Sequence, residues 1–193
     1  MCCVTKRKIA DCVKELVHGK EIHKITIQDI MNKTNMSRQS FYYHFQDIYD
    51  VLEWIILNDV IAEADCEEND LVGWILELIH AMQNDWVFYK KAVRQIPWPT
   101  ILSHVKGSVE ENVGKLFCIY DSEYCIRHPE EFQRGIQFFS ASLCYYLMDL
   151  VYQNRKLSDD EIMQELHFLI SLWKGFQYMG EHRETDKHGI LSA

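Results

Sequence analysis

Apolar residues recur at spacings of three and four along nearly the whole chain, and this periodicity limits the fold more than any other feature. Such spacing places the apolar side chains on one stripe of an α-helix. Only three prolines and eight glycines occur among the 193 residues, so helices are interrupted at few points. The pattern therefore predicts an all-α fold, and the length suits one ordinary domain or two small ones.

The composition excludes disordered and membrane-inserted proteins. A hydrophobic share of 48% with 25% charged residues is typical of a globular protein. No apolar run approaches the roughly 20 residues of a membrane-spanning helix, and the N-terminus lacks the apolar stretch of a secretory signal. We therefore expect a cytoplasmic protein with no membrane partner.

Neither catalysis nor a cofactor is indicated by the short motifs. The sequence lacks HExxH, GxSxG, Walker and Gly-rich dinucleotide motifs, and its nine histidines do not form a set with metal-ligand spacing. The seven cysteines are scattered and form no CxxC pair, which argues against a disulfide framework or a zinc site. We expect reduced thiols, most of them in the core, with no metal, no cofactor and no enzyme activity.

Charge is distributed unevenly along the chain. Residues 1–46 hold eight Lys or Arg residues against four acids, a net charge of +4, whereas residues 47–193 carry a net charge of −13. A basic segment attached to an acidic protein is expected where only that segment meets a polyanion, although a basic patch is often just a solvated face.

The basic segment is predicted to contain two helices followed by a tight turn. The first helix covers about residues 5–18, and Gly19 ends it. Thr26 and Asp29 have the spacing of a capping box, which predicts a second, short helix ending near residue 33. Asn35 follows as a residue that tolerates the left-handed conformation of a turn.

A third helix is predicted to start at Ser37 and to complete a helix-turn-helix unit. Phe41 and Phe45 lie four positions apart, so both are expected to point inward against the first helix. The opposite side then carries side chains that form hydrogen bonds, namely Arg38, Gln39, Tyr42 and Tyr43. This third helix is the candidate DNA reader.

The residue types on this helix suit contacts with DNA. Arg38 and Gln39 are long enough to reach base edges, where arginine favours guanine and glutamine favours adenine. Ser37, the first amides of the helix, the tyrosines and His44 suit phosphate contacts. The alternative is an ordinary capped helix whose tyrosines form an amphipathic surface. Asp47 is then predicted to cap a fourth helix that continues without a break into the rest of the chain.

The order of these elements over residues 5–55 resembles the DNA-binding domain of the tetracycline-repressor (TetR) family of bacterial transcription regulators. The match lies in ITIQDI at 25–30, the turn at Asn35 and the string SRQSFYYHF at 37–45. The resemblance implies major-groove contacts from Arg38, Gln39, Ser40 and Tyr42, and phosphate contacts from Thr26, Ser37, Tyr43 and His44. It also implies a homodimer on palindromic double-stranded DNA.

Two positions depart from the family pattern. Ile48 stands where the family usually has a lysine, so one phosphate-pairing charge is absent and affinity is expected to depend less on salt. Asn35 stands where glycine is common, which leaves the left-handed bend feasible. Residues 41–54 are also similar to a subgroup of regulators of dihydroxyacetone kinase operons.

Further helices are predicted over about 69–84, 85–96, 98–118, 129–154 and 159–179. The last two are expected to form an antiparallel hairpin that pairs with its twin as a four-helix bundle. The predicted dimer interface consists of Phe139, Leu143, Tyr146, Leu147, Leu150, Ile162, Leu166, Leu169, Ile170 and Trp173. The alternative is that both apolar stripes belong to the core of one chain.

Aromatic side chains are dense between the basic segment and this hairpin. Those that could line an effector pocket are Trp74, Trp86, Tyr89, Trp98, Phe117 and Tyr120, although aromatic residues at helical spacing also build plain cores. The sequence thus predicts a DNA-binding domain over 1–55, a sensing and dimerisation domain over 56–180, and a disordered polar tail over 181–193. We expect a repressor controlled by a small molecule, or alternatively an activator whose domain over 56–180 binds a sensor protein.

Overall fold

The computed structural model describes residues 2–62, 64, 70–120, 122–169 and 171. Its regular elements in these ranges are all helical, and the predicted all-α fold is confirmed. The α-helices up to residue 156 are α1 Cys2–Gly19, α2 Ile27–Thr34, α3 Arg38–His44, α4 Ile48–Ile56, α5 Leu71–Asn84, α6 Trp86–Gln95, α7 Trp98–Tyr120, α8 Ser122–Arg127 and α9 Pro129–Tyr152. In the described part of the chain, no helix combines the length and the apolar character that crossing a bilayer requires.

The first four helices pack around a small core of their own. Helix α1 lies against α2, α3 and α4. Its apolar stripe, Ile9, Val13 and Val17, is completely buried, and so are the rings of Phe41 and Phe45 in and just after α3. Burial of each of these five side chains contributes roughly 1.5–3 kcal/mol to holding α1 and α3 together.

The connection from α4 to the rest of the chain differs from the prediction. Regular α-helical hydrogen bonding ends at Ile56, and a π-helical turn, Leu57–Ile61, follows it. The chain therefore stays helical across the predicted domain boundary, but its hydrogen-bond register widens there. Such π-turns are rare and accommodate an extra residue, which reorients the side chains beyond them. Sequence periodicity over a few residues does not distinguish this turn from an α-helix.

The helices after the π-turn form a second layer of the same compact unit, which extends to Lys156. Helix α9 packs along α7 and α6, and α8 packs on both α7 and α9. Gly114 allows the close approach of α7 to α9, because a Cβ at this position would lie 3.3 Å from Cδ1 of Ile136. The sequence analysis did not anticipate α8, since six residues are too few to produce a helical period.

Helix α9 has two apolar faces, and the predicted dimer stripe is the inner one. Leu143, Leu147 and Leu150 are buried within the chain, and the Phe139 ring packs on Phe117 of α7 at 5.2 Å between centroids. Tyr146 is half-buried. On this helix the alternative, a stripe that belongs to the core, is the better description. The outer face instead carries the exposed rings Phe138, Tyr145 and Tyr152.

Residues from Leu157 onward form a separate unit. Residues 159–169 are helical, and Ser158 and Glu161 cap this segment reciprocally. Ile162 and Leu166 are buried, whereas Leu169 is exposed. Ile170, Trp173 and the predicted tail at 181–193 lie outside the described residues. The predicted domain boundaries therefore stay a prediction.

Candidate nucleic-acid interface

Helix α2 is fixed at its start by the predicted capping box. The Thr26 hydroxyl accepts a hydrogen bond from the Asp29 amide at 3.1 Å, and the Thr26 amide donates to the Asp29 carboxylate at 2.8 Å. The Lys20 ammonium also donates to this carboxylate, and together with Thr26 it lowers the pKa of Asp29 to about 2. The Thr26 hydroxyl additionally donates to Asp29 at 2.8 Å. Thr26 therefore has all of its donors engaged inside the box.

The turn between α2 and α3 has the predicted left-handed residue. Asn35 adopts φ 55° and ψ 36°, so this non-glycine residue closes the turn. Ser37 then caps α3, because its Oγ accepts a hydrogen bond from the Ser40 amide at 3.1 Å. The Ser37 hydroxyl proton is left available to a second acceptor, and the side chain is exposed.

Helix α3 has one buried and one exposed side, as its residue order predicts. Phe41 is 0% exposed and Phe45 2% exposed, and their ring centroids lie 6.1 Å apart. Tyr42 is 52% and Tyr43 81% exposed. The predicted division of this helix into an inward and an outward side is therefore confirmed, whereas the contacts assigned to DNA stay a prediction.

Two polar side chains at the start of α3 are not engaged by the part of the molecule that the structure describes. Arg38 and Gln39 are exposed and form no hydrogen bond or ion pair with any described residue. Ser40 and His44 are half-buried, and the His44 ring meets the Tyr43 ring edge-on at 5.0 Å.

The net positive charge of the first 46 residues is partly neutralised inside the structure. Four basic residues pair with acids, namely Arg7 and Lys14 with Asp59, Lys20 with Asp29, and Lys33 with Glu15. Among residues 2–46, the Lys and Arg side chains without a carboxylate partner in the described part of the chain are Lys6, Lys8, Lys24 and Arg38. Lys6 lies over the Phe45 ring at 5.0 Å and so places its charge beside the end of α3. The sequence analysis did not identify Lys6.

A buried carboxylate connects α1 to the π-turn. Asp59 is only 8% exposed, and it accepts hydrogen bonds from Arg7 and from the Lys14 ammonium, the latter at 3.0 Å. The Arg7 guanidinium also stacks on the Trp54 ring of α4 at 4.8 Å. Because Asp59 lies within the π-turn, its two ion pairs join this turn to α1.

Helix α6 holds the other end of α1. Asp85, which caps α6, accepts from His18 at 2.9 Å and lies 3.5 Å from the Lys14 ammonium. The Lys91 ammonium donates to the carbonyls of Val17 and His18, at 2.7 and 3.1 Å, which are among the last carbonyls of α1. The position of α1 is thus set by α6 and the π-turn, both outside the helix-turn-helix unit. No sequence pattern pointed to Asp59, Asp85 or Lys91.

Of the residues predicted to form an effector pocket, Trp74, Trp86, Tyr89 and Phe117 line neither of two cavities found in the described part of the chain. Trp74, Trp86 and Tyr89 are buried in the core, Phe117 packs on Phe139, and the side chains of Trp98 and Tyr120 lie outside the described part. Two cavities within the described ranges have other linings. One, of about 10 Å³, lies between α4 and α7, and another, of about 180 Å³, is bordered by Glu77, His80 and Asn84. The first has room for about one water molecule.

These observations define an all-helical protein in which α1, α2 and α3 form a helix-turn-helix unit. The last helix of this unit, α3, has an exposed side that carries polar side chains. Comparison with known proteins agrees with this class. No protein-family model matches the chain. Over 91 residues, the chain is 34% identical to the HTH-type dhaKLM operon transcriptional activator DhaS of Lactococcus lactis subsp. lactis (strain IL1403). This match covers 46% of the chain and only about half, 48%, of that protein.

A solved structure has the same fold over nearly its whole length. The dihydroxyacetone kinase operon activator DhaS superposes with a TM-score of 0.65, covering 89% of this chain and 97% of that one, at 22% sequence identity. This likeness supports the all-helical fold with a helix-turn-helix unit. The relative that matches in sequence is named as a transcriptional activator, whereas the likeness to the solved structure concerns the fold alone.

Proposed function

We propose that this chain is a sequence-specific, DNA-binding transcriptional regulator of the TetR type, and that α3 enters the major groove. The observation that carries this proposal is the exposed side of α3, where Arg38 and Gln39 have no partner among the described residues. The two buried phenylalanines on the opposite side hold the helix at a fixed rotation, so the polar side chains are presented in a constant direction. The similarity to an HTH-type transcriptional activator supports the same conclusion.

The side chains on α3 divide into two groups by reach and chemistry. Arg38, Gln39, Ser40 and Tyr42 are proposed to face base edges, and Ser37, Tyr43 and His44 to face phosphates. Thr26 is a weaker phosphate ligand than the resemblance implies, because its hydroxyl and its amide both donate to Asp29. Its main role is to start α2. Lys6, beside Phe45, is a further candidate for a phosphate contact.

Selection of bound fragments from random duplex DNA tests this function directly. We expect enrichment of a palindrome whose half-sites are separated by about one helical turn, roughly 10 base pairs, since two copies of α3 would each read one half-site. The same experiment gives the operator sequence. Recovery of unenriched or unsymmetrical fragments would contradict a dimeric, sequence-specific reader.

Two substitutions in α3 separate base contacts from phosphate contacts. Gln39→Ala is expected to weaken binding by about 1–3 kcal/mol at particular base pairs, because a side chain that reads a base is lost. Tyr43→Phe removes only a hydroxyl and is expected to weaken binding to all sequences by a similar factor. The measurement is the dissociation constant for the selected operator and for its single-base variants at one salt concentration. A change of base preference in Tyr43→Phe would show that the two roles are wrongly divided.

We further propose that the regulator is a homodimer that uses the outer face of α9. Phe138, Tyr145 and Tyr152 lie seven positions apart and so occupy one side of this helix, opposite Leu143 and Leu147. All three rings are more than half exposed, and aromatic residues are enriched in protein interfaces. A two-fold axis beside α9 would bury this stripe against its own copy.

The substitution Tyr145→Asp tests this interface. A carboxylate in the middle of the aromatic stripe is expected to raise the dimer dissociation constant by at least about tenfold, because it would be desolvated at the interface. Val87→Asp, at a half-exposed position on α6, is the matched control and is expected to leave the dimer intact. Sedimentation at several protein concentrations measures both variants. Equal effects of the two would place the interface elsewhere.

We propose that a small-molecule effector binds the predicted sensing and dimerisation domain, residues 56–180, and releases the regulator from DNA, as in a repressor. The second candidate function is that of an activator that binds a sensor protein. Such an activator would regulate dihydroxyacetone kinase genes. The name of the sequence relative, a dhaKLM operon transcriptional activator, is the observation behind this candidate. Footprinting upstream of the dihydroxyacetone kinase genes in the source genome shows whether the protein binds there. Transcription measured with and without the protein then shows whether it activates or represses these genes, which separates the two candidates.

A further inference from the structure

Two cysteine side chains meet at the corner between α7 and α8. The Sγ atoms of Cys118 and Cys125 are 3.0 Å apart, although the residues are seven positions apart in the chain. Helix α7 ends at Tyr120 and α8 begins at Ser122, so the corner folds the second thiol back onto the first. Both thiols are reduced and half-buried. They are thus in contact with each other and within reach of a small solute.

We propose that Cys118 and Cys125 form an oxidisable dithiol that a peroxide converts into an intramolecular disulfide. A disulfide has an S–S distance of about 2.05 Å, so the sulfur atoms must approach by only about 1 Å. This site is independent of the proposed DNA-binding function, because it uses no residue of α1 to α3.

The reaction balances with hydrogen peroxide as the oxidant. One cysteine, as its thiolate, attacks a peroxide oxygen; the S–O bond forms, the O–O bond breaks, and the departing hydroxide takes up a proton as water. The second thiolate then attacks the sulfur of the resulting sulfenic acid; the S–S bond forms, the S–O bond breaks, and hydroxide again leaves and becomes water. The two thiols lose two electrons in total, and the peroxide is reduced to two molecules of water.

The other described thiols are poorer targets. Cys144 is buried in α9, and this burial, with a smaller contribution from the charge of Glu110, raises its pKa to about 11. Burial also raises the pKa of Cys12 in α1. Burial also shields both thiols from a solute, and neither is in contact with another described thiol. The thiolate is the reactive form, so oxidation is expected to proceed fastest at the α7–α8 corner.

The disulfide would change a corner that carries exposed apolar side chains. Ile119 and Ile126 directly follow the two cysteines and are 71% and 79% exposed. Helix α8 also leads into α9 through Pro129. A covalent bond between α7 and α8 would hold these isoleucines at a fixed separation and restrict opening of the six-residue helix α8.

Mass spectrometry of the whole, reduced protein after treatment with hydrogen peroxide tests this proposal. Trypsin cleaves after Lys115 and Arg127, so both cysteines fall in one peptide, residues 116–127. We expect this peptide to lose two hydrogen atoms, to regain them with dithiothreitol, and to react at least about tenfold faster than the peptides with Cys12 or Cys144. Hydrogen exchange over residues 122–127 is expected to slow in the oxidised protein.

Serine variants supply the controls. Cys118→Ser and Cys125→Ser are each expected to abolish the mass loss and to leave a sulfenic acid that dimedone traps on the remaining cysteine, while Cys144→Ser leaves the loss unchanged. Because the main measurement is made on the unmodified protein, a variant that folds poorly does not affect it. A peptide 116–127 that stays reduced while other cysteines oxidise would overturn the proposal. So would a disulfide that links two chains through these cysteines.

Discussion

Replacing Phe41 by alanine is expected to lower the free energy of unfolding by about 3–5 kcal/mol, the usual cost of removing a fully buried ring. Phe41 is 0% exposed and packs on Phe45, and it lies between α3 and the buried stripe of α1. Because α3 has only seven residues, it has little stability apart from this packing. The variant should therefore lose α3 before it shows any altered base preference.

Tyr43→Ala is the matched control, since it removes an aromatic ring two positions away in the same helix. Tyr43 is 81% exposed, so its loss is expected to change stability by no more than about 0.5 kcal/mol while weakening DNA binding. Urea unfolding followed by circular dichroism, at a fixed protein concentration, measures both variants. If Phe41→Ala were as stable as Tyr43→Ala, the rotation assigned to α3 would be incorrect.

The second large effect is expected at Asp59. Asp59→Asn leaves Arg7 and Lys14 facing a neutral amide in a site that is mostly closed to water. Breaking a fully buried ion pair costs about 3–5 kcal/mol, and we expect about 1–3 kcal/mol here because both cations are partly exposed and can turn toward solvent. DNA affinity should fall as well, since α1 loses its attachment to the π-turn.

A double-mutant cycle distinguishes a specific ion pair from a general loss of packing. Asp59→Asn combined with Lys14→Met is expected to be less destabilising than the sum of the single variants by about 0.5–3 kcal/mol. Glu123→Gln, which breaks the exposed pair with Arg127 on α8, is the control and should cost less than about 1 kcal/mol. Strict additivity at Asp59 and Lys14 would rule out an energetic coupling through this carboxylate.

The helix-turn-helix unit was predictable because its signals are local. Thr26 and Asp29, Asn35, and Ser37 act on their immediate neighbours in the chain, and all three features have the predicted geometry. The four-residue spacing of Phe41 and Phe45 likewise determines one side of a helix whatever surrounds it. The exposure of Arg38 and Gln39 follows from that spacing.

The helices after the π-turn were predicted less well than the helix-turn-helix unit. Helical periodicity identifies an apolar stripe but does not identify the surface that packs against it. On α9 the stripe containing Leu143 and Leu147 was assigned to a dimer, whereas it lies in the core of the chain. The aromatic residues assigned to a pocket include Trp74, which is completely buried. An apolar stripe has the same sequence pattern whether it packs in the core of its own chain, against a second chain or around a ligand. The sequence alone therefore cannot distinguish these alternatives.

By itself, then, the sequence determined the all-helical class, the residues that cap the starts of α2 and α3, and the outward side of α3. Each of these depends on interactions between residues no more than four positions apart. Only the tertiary structure decided that Asp59 meets Arg7 and Lys14, that Lys91 caps α1, and that two thiols touch across the α7–α8 corner. The first two contacts depend on packing between segments that are distant in the sequence, and the third depends on a corner that interrupts the helical period. None of the three produces a repeating pattern in the sequence.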